Sequence, residues 1–264
     1  MYELEYSMPS SVNDAVAEIK KSSEAKYLAG GMTLIPTLKA RLSSADMLVD
    51  LKGANLSNVS VSSSEVVIGS MTRHCDVASS SEVLSSLPAL AKLAGGIGDH
   101  MVRSCGTIGG SLANNDPAAC YPSAVLALDA TIITNERAIT AEDFFVGMFE
   151  TALNENEIIT EVKFPIPEKA SYIKFPNPAS RYAMVGVFIA KKATGVAVAV
   201  TGAGENGVFR CSEIENALNS SFNVGSIDNV EISPDGLNND IHASGSYRAN
   251  LIKEMAKRAL NEMI

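Results

Sequence analysis

The sequence predicts an α+β fold in two parts, a larger mixed region over residues 1–168 and a smaller antiparallel sheet with helices over 169–264. Three observations predict it. Helical and strand periodicities are interleaved through the first half. The densest proline cluster, Phe164-Pro165-Ile166-Pro167 with Pro176 and Pro178, interrupts the pattern, because proline cannot donate to a sheet ladder. Beyond it, two apolar runs lie close together in a hairpin pattern. With 46% apolar and 19% charged residues, 264 residues suffice for one or two cores and argue against disorder.

Ser11 with Asp14 reads as a helix N-cap, and Val12, Ala15, Val16 and Ile19 fall on one helical face. Residues 25–29 read as a short buried strand, ended by Gly30-Gly31 and followed by a helix over 34–42. Residues 47–51, 59–61 and 65–68 are short β-type runs, and the serine-rich stretch 57–64, with its alternating valines, suits an edge hairpin. Helices are predicted at 72–79, 88–94 and 122–128, and strands at 130–134 and 157–164. Residues 95–99 break the pattern, and a second glycine loop is predicted over 103–117. In the C-terminal part, strands at 185–190 and 195–201 flank the turn 191–194, and 208–211 adds a third. Helices at 212–218 and 247–262 would cover one face of that sheet, leaving 219–239 as a long connection.

Several chemistries are disfavoured. A formal charge of −9 repels nucleic-acid phosphates and anionic lipid. No apolar run approaches the roughly 20 residues of a membrane-spanning helix, and the start lacks a signal-peptide pattern, so a soluble cytoplasmic protein is expected. Cys75, Cys105, Cys120 and Cys211 are dispersed and read as small buried thiols, and His74, His100 and His242 are equally scattered, so no metal site is expected. Gly-x-Ser-x-Gly, H-E-x-x-H and P-loop motifs are absent, leaving no candidate catalytic nucleophile. Glu155 and Glu157 read as a solvated turn.

The residues that carry chemistry are glycine-rich. A diphosphate needs several N–H donors at once and close backbone approach, which a Cβ would obstruct. Ala29-Gly30-Gly31-Met32-Thr33-Leu34 follows a strand and opens a helix whose positive end would face an anion. Thr107-Ile108-Gly109-Gly110-Ser111 lies in a segment dense in hydroxyls, amides and glycine. Two such loops fit an extended, two-ended ligand. Gly202-Ala203-Gly204-Glu205-Asn206-Gly207 also follows a strand and matches G-x-G-x-x-G, but Val208 to Cys211 reads as another strand where a dinucleotide fingerprint needs a helix. A hairpin turn is expected there.

Taken in order, Tyr27 to Pro36, Ile68-Gly69-Ser70-Met71-Thr72-Arg73-His74, Val102 to Ala113, Asp116-Pro117-Ala118-Ala119 and Leu126 to Ala130 resemble the medium, FAD-binding subunits of the molybdenum hydroxylase family, which includes xanthine dehydrogenase and carbon monoxide dehydrogenase. Ser180 to Val187 and the small C-terminal part look closest to the carbon monoxide dehydrogenase type. The resemblance runs nearly end to end.

It implies a p-cresol methylhydroxylase (PCMH) type FAD-binding fold over 1–168, with subdomains of about 1–55 and 56–168, then a C-terminal domain of the carbon monoxide dehydrogenase flavoprotein kind. It implies that Ala29, Gly30, Gly31, Met32, Thr33 and Leu34, with Thr107, Ile108, Gly109, Gly110 and Ser111, hold the FAD diphosphate. Thr72, His74, Asn114, Asp116 and Cys120 would lie near the cofactor, and Ile159 and Lys174 near its flavin end. A cation there would stabilise anionic reduced flavin. Tyr182 either covers the isoalloxazine or packs as a core tyrosine. Met32 and Cys120 depart from the family pattern, and a thiol cannot replace the carboxylate frequent at position 120. The molybdenum–pterin cofactor and two [2Fe–2S] clusters would belong to large and small partner subunits, in a dimer of heterotrimers. Electrons would pass through FAD to an external acceptor. A self-contained flavoprotein reductase of the same fold and a non-redox nucleotide-binding scaffold are the alternatives.

Overall fold

A computed structural model describes residues 2–264. The first layer is a parallel sheet in the order β1-β3-β2, made of β1 (Glu5–Ser7), β2 (Ala25–Leu28) and β3 (Met47–Asp50). Helix α1 (Val12–Ile19) begins at Ser11, whose hydroxyl accepts from the Asp14 N–H, and buries Ala15 and Ile19 against this sheet. Helix α2 (Leu34–Lys39) follows the first glycine segment. It ends before the expected 42, because Arg41 turns into positive φ. A single 3-10 turn, Leu51–Ala54, leads out of the layer.

The second layer is a five-stranded antiparallel sheet in the order β4-β5-β10-β6-β7: β4 (Val59–Val61), β5 (Glu65–Gly69), β6 (Thr131–Thr134), β7 (Ala138–Thr140) and β10 (Ile159–Pro165). Between β5 and β6 runs a helical array of α3 (His74–Ser79), α4 (Ser81–Ser86), α5 (Pro88–Gly95), α6 (His100–Cys105), α7 (Ile108–Asn114) and α8 (Tyr121–Ala127). Helix α9 (Ala141–Phe144) and the hairpin β8 (Phe145–Gly147) with β9 (Glu150–Thr151) complete it.

Here the expected second loop is corrected. Residues 103–117 are largely helix, because Thr107 caps α7 with its hydroxyl on the Gly110 N–H, and Gly109 packs where no side chain fits. The helix predicted from 72 begins only at His74, since the Thr72 N–H is taken by the Gly69 carbonyl in a turn.

The third layer is the antiparallel order β11-β12-β13-β14: β11 (Lys169–Pro176), β12 (Ala183–Lys192), β13 (Gly195–Thr201) and β14 (Phe209–Arg210). Strand β11 went unpredicted amid the prolines. It is an edge strand with Pro176 at its end, where a missing N–H is tolerated. Lys191 and Lys192 continue β12 and do not form the turn.

Helices α10 (Ser212–Ser220) and α11 (Gly245–Asn261) cover one face with Val185, Val187, Val198 and Val200, while Phe188, Ala190, Ala197 and Ala199 join the core of α5 and α8 on the other. The sheet is therefore buried on both faces, which is why β12 reads as an unbroken apolar run. The long connection after α10 holds one 3-10 turn, Val224–Ile227. Gly202 and Gly207, at φ of 82° and 109°, turn β13 back into antiparallel β14, so the G-x-G-x-x-G run is a reversal, as expected. Among the described residues, no helix is long and apolar enough to cross a membrane.

Candidate functional site

One large cleft, about 560 Å³, opens where loops of the three layers meet. That is within the range of small-molecule and cofactor sites. Its wall includes Ala29, Gly30, Gly31, Met32, Thr33 and Leu34 from the β2–α2 connection, and Thr107, Gly109, Gly110 and Ser111 from the start of α7. His74, Asn114, Asp116, Cys120, Ile159, Lys174 and Tyr182 also line it. Seventeen of the nineteen residues singled out in the sequence thus share one cavity.

The exceptions are Thr72 and Ile108. The Thr72 hydroxyl donates to the Asn58 carbonyl at 3.1 Å, and its own carbonyl accepts from the Ile108 N–H at 3.1 Å. Ile108 is fully buried in the core. Both residues bridge α3 and α7 behind the wall and present nothing to a ligand.

The two glycine segments touch. A Cβ on Gly30 would lie 2.2 Å from the Cys105 carbonyl oxygen and 2.7 Å from Gly106 Cα, and one on Gly110 would lie 3.2 Å from Ala29 Cβ. A Cβ on Gly109 would lie 2.5 Å from Ser70 Cβ. These glycines let main chains pack against each other, whatever they also do for a ligand.

The backbone donors of the segments differ. In the second, Ile108 N–H bonds the Thr72 carbonyl, Gly109 N–H the Ser70 carbonyl at 2.8 Å, Gly110 N–H the Thr107 hydroxyl and Ser111 N–H the Thr107 carbonyl. In the first, the N–H groups of Gly30, Gly31, Met32 and Thr33 have no acceptor among the described residues. The Thr33 and Ser111 hydroxyls are equally unspent, since neither makes a side-chain hydrogen bond and Thr33 does not cap α2. Unpaired amides in a cleft wall are the donor set that an anionic ligand would satisfy.

The opposite wall is fixed by Lys174. Its Nζ donates to the Gly96 carbonyl at 2.6 Å, the Arg181 carbonyl at 3.0 Å and the Cys120 sulfur at 3.7 Å. One ammonium thus ties the 95–99 turn and the 177–182 loop to the start of α8. Cys120 serves as a weak third acceptor there. Tyr182 is half exposed at the cleft edge, so it is not a core tyrosine. Burial and then the Asp116 and Cys120 charges raise its phenol pKa.

His74 is 4% exposed, packs against Tyr121 with ring centroids 5.4 Å apart, and donates its backbone N–H to the Gly106 carbonyl. Burial, aided by the Arg103 charge, pushes its pKa down to about 4, so the ring is neutral at physiological pH. Its buried Nδ1 and the Ser70 Oγ have no hydrogen-bond partner.

Sequence reasoning missed Ser70, Gly98, Asp99, Gly106 and Tyr27 in the wall. For Ser70 the signal was its place directly after a strand-ending glycine. Glu157 is a correction. Its carboxylate is fully buried, accepting from Thr134, Arg137 and the Asn154 N–H, so it anchors the turn before β10 and is not solvated. Burial alone would push its pKa up, but those partners outweigh it and hold it below the usual carboxylate range. Of the cysteines, Cys120 and Cys211 are buried as expected, while Cys105 is exposed and Cys75 half-buried. No group of three or more His, Cys, Asp or Glu placed to hold a metal occurs among the described residues.

Residues 2–167 match the family described as the FAD binding domain in molybdopterin dehydrogenase. The chain belongs to that family. Across 99% of its length and 98% of the relative's, it is 33% identical to the glyceraldehyde dehydrogenase medium chain of Sulfolobus acidocaldarius. It superposes on carbon monoxide dehydrogenase from Hydrogenophaga pseudoflava, in a form lacking the Mo-pyranopterin moiety, with a TM-score of 0.85, 31% identity and coverage of 98% and 96%. For the reconstituted carbon monoxide dehydrogenase of Oligotropha carboxidovorans the TM-score is 0.90 at 27% identity, covering 100% and 99%. The molecule is accordingly an FAD-binding oxidoreductase component of the molybdenum hydroxylase family. The cleft fits that cofactor, with free amides at one loop and orphaned buried polar atoms in its wall.

Proposed function

We propose that this chain is the electron-transfer subunit of a molybdenum hydroxylase complex, taking electrons from [2Fe–2S] clusters on a small partner and delivering them to an external acceptor. Substrate oxidation then occurs at a molybdenum–pterin cofactor on a large partner. The observation that carries this reading is the large cleft whose free amides suit a diphosphate, in a chain with no metal-ligating cluster among its described residues. Bound FAD would supply the redox chemistry, accepting and releasing electrons in the cleft.

The chain's own residues would bind and orient. Gly30, Gly31, Met32 and Thr33 donate backbone N–H groups to the diphosphate, with the Thr33 and Ser111 hydroxyls beside them. Thr107, Gly109 and Gly110 shape the floor, and Asn114 and Asp116 offer polar contacts. Lys174, Cys120 and Ile159 frame the flavin end. There Lys174 would supply a cation while holding the 177–182 loop, and Tyr182 would supply an aromatic contact to the flavin. The relatives named above belong to complexes named for an aldehyde and for carbon monoxide, yet share this architecture along nearly the whole chain. A subunit that relays electrons without selecting the substrate would be shared in this way.

We further infer that the folding units divide at residue 168, and that the complex is a cytoplasmic dimer of heterotrimers of the carbon monoxide dehydrogenase type. Each of the three main sheets draws its strands from one of the spans 1–55, 56–168 and 169–264, which supports the division.

Purification of the native complex with analysis of its metals, flavin and subunits tests the reading. Stoichiometric FAD on this chain, with molybdenum and iron on separate chains, is expected. No retained flavin after FAD reconstitution and desalting, with partners present, would sink it.

A further inference from the structure

The Ser70 backbone is clamped on both sides: its N–H donates to the Thr160 carbonyl at 2.9 Å, and its carbonyl accepts from the Gly109 N–H at 2.8 Å. Its Cβ sits where any Cβ on Gly109 would collide at 2.5 Å. Only the hydroxyl can move, by rotation about χ1 among staggered positions. Ser70 is 3% exposed and lines the cleft, yet its Oγ has no hydrogen-bond partner. An unpaired buried hydroxyl is a net cost to the fold. Alanine would fill the same space without it.

We infer that the Ser70 hydroxyl is a cofactor-binding group that turns into the cleft to hydrogen-bond the polar ribityl–diphosphate stretch of FAD. This rests on the FAD-binding reading of the cleft and adds a residue that reading does not include. The position favours the linker over either ring system. Ser70 is bonded to Gly109, next to Gly110, and the Gly110 Cα faces Ala29 at the head of the free-amide loop. His74, which also lines the cleft, likewise has a buried and unpartnered ring nitrogen, Nδ1, so two residues of the wall carry polar atoms that the chain leaves unsatisfied.

A hydroxyl kept for a ligand has a signature that a structural hydroxyl lacks. Removing it should stabilise the empty protein while weakening the complex. Thr72 supplies the opposite case, since its hydroxyl is spent on the Asn58 carbonyl and does not line the cleft.

The experiment measures thermal melting of the flavin-free full chain and FAD affinity by flavin fluorescence for wild type, Ser70→Ala and Thr72→Val. Ser70→Ala should melt higher by about 2–4 °C without FAD and bind FAD about ten-fold more weakly. Thr72→Val should melt lower and bind FAD within about two-fold of wild type. The inference is overturned if Ser70→Ala binds FAD as wild type does, if its flavin-free form melts lower or does not fold, or if Thr72→Val loses as much affinity. If wild type itself binds no FAD, the reading of the whole cleft fails, an outcome separate from these.

Discussion

The two glycine-rich segments have similar compositions and face one another across a shared contact, but they spend their backbones differently. Residues 30–33 keep four N–H groups uncommitted, while the first turn of α7 commits all of its own to Thr72, Ser70 and Thr107. Glycine in the first segment sits in a run of open donors and, at Gly30, also packs tightly against the Cys105 carbonyl. In the second it allows close packing, with Gly109 against Ser70 and Gly106 against the His74 ring, where a Cβ would lie 2.6 Å from Nε2. The cradle therefore consists of one donating loop braced by one packed helix, and the two should fail in different ways when altered.

The largest effect should come from the joint itself. Gly30→Ala drives a Cβ into the Cys105 carbonyl, and Gly109→Ala drives one into the Ser70 main chain, where no flexible side chain can give way. Each should cost about 3 kcal/mol or more of stability in urea unfolding of the flavin-free chain. Gly31→Ala meets only the Ile35 and Leu28 side chains, but at φ +70° it should cost about 1–2 kcal/mol. Equal losses at all three positions would erase the distinction between brace and donor.

Much of this was legible in the sequence. The strand, glycine pair and helix at residues 25–39 are local features, as are the N-cap at Ser11 and the reversal at Gly202. What was not legible depends on contacts between distant segments. Gly109 and Gly110 have low helix propensity and read as a loop, and only the clamp from Ser70 and the Thr107 cap makes them helical. Glu157 reads as solvated because its partner Arg137 lies 20 residues away in sequence, in the turn between β6 and β7. Thr72 carries a hydroxyl like Ser70, and nothing local to either shows which one the fold has already used.

Acid should loosen the brace before the donor loop. The His74 N–H donates to the Gly106 carbonyl, and its ring pKa is lowered to about 4, against 6.5 for a free imidazole, chiefly by burial. Between those values the unfolded chain binds a proton that the folded chain refuses, so stability falls as pH drops from about 6.5 toward 4. The His74 share should be about 2 kcal/mol between pH 7 and 5, read as the difference in urea unfolding between wild type and His74→Gln. Parallel pH dependences in the two proteins would refute it.

The smallest effects provide the finest separation, because they compare one threonine at the head of each helix. Thr107 caps α7, and Thr107→Ala should lower flavin-free stability by about 1 kcal/mol. It also leaves the Gly110 N–H without its acceptor, so any loss of FAD affinity should be slight or reversed. Thr33 occupies the corresponding place before α2 but makes no capping bond. Thr33→Ala should therefore leave flavin-free stability within about 0.5 kcal/mol and weaken FAD binding about ten-fold, the loss of one hydrogen bond to a charged group. The two substitutions thus predict opposite patterns in melting and titration. If Thr107→Ala weakened FAD more than Thr33→Ala, the helix face would be the donor after all, and the bonds that now occupy its amides would have to open when the cofactor binds.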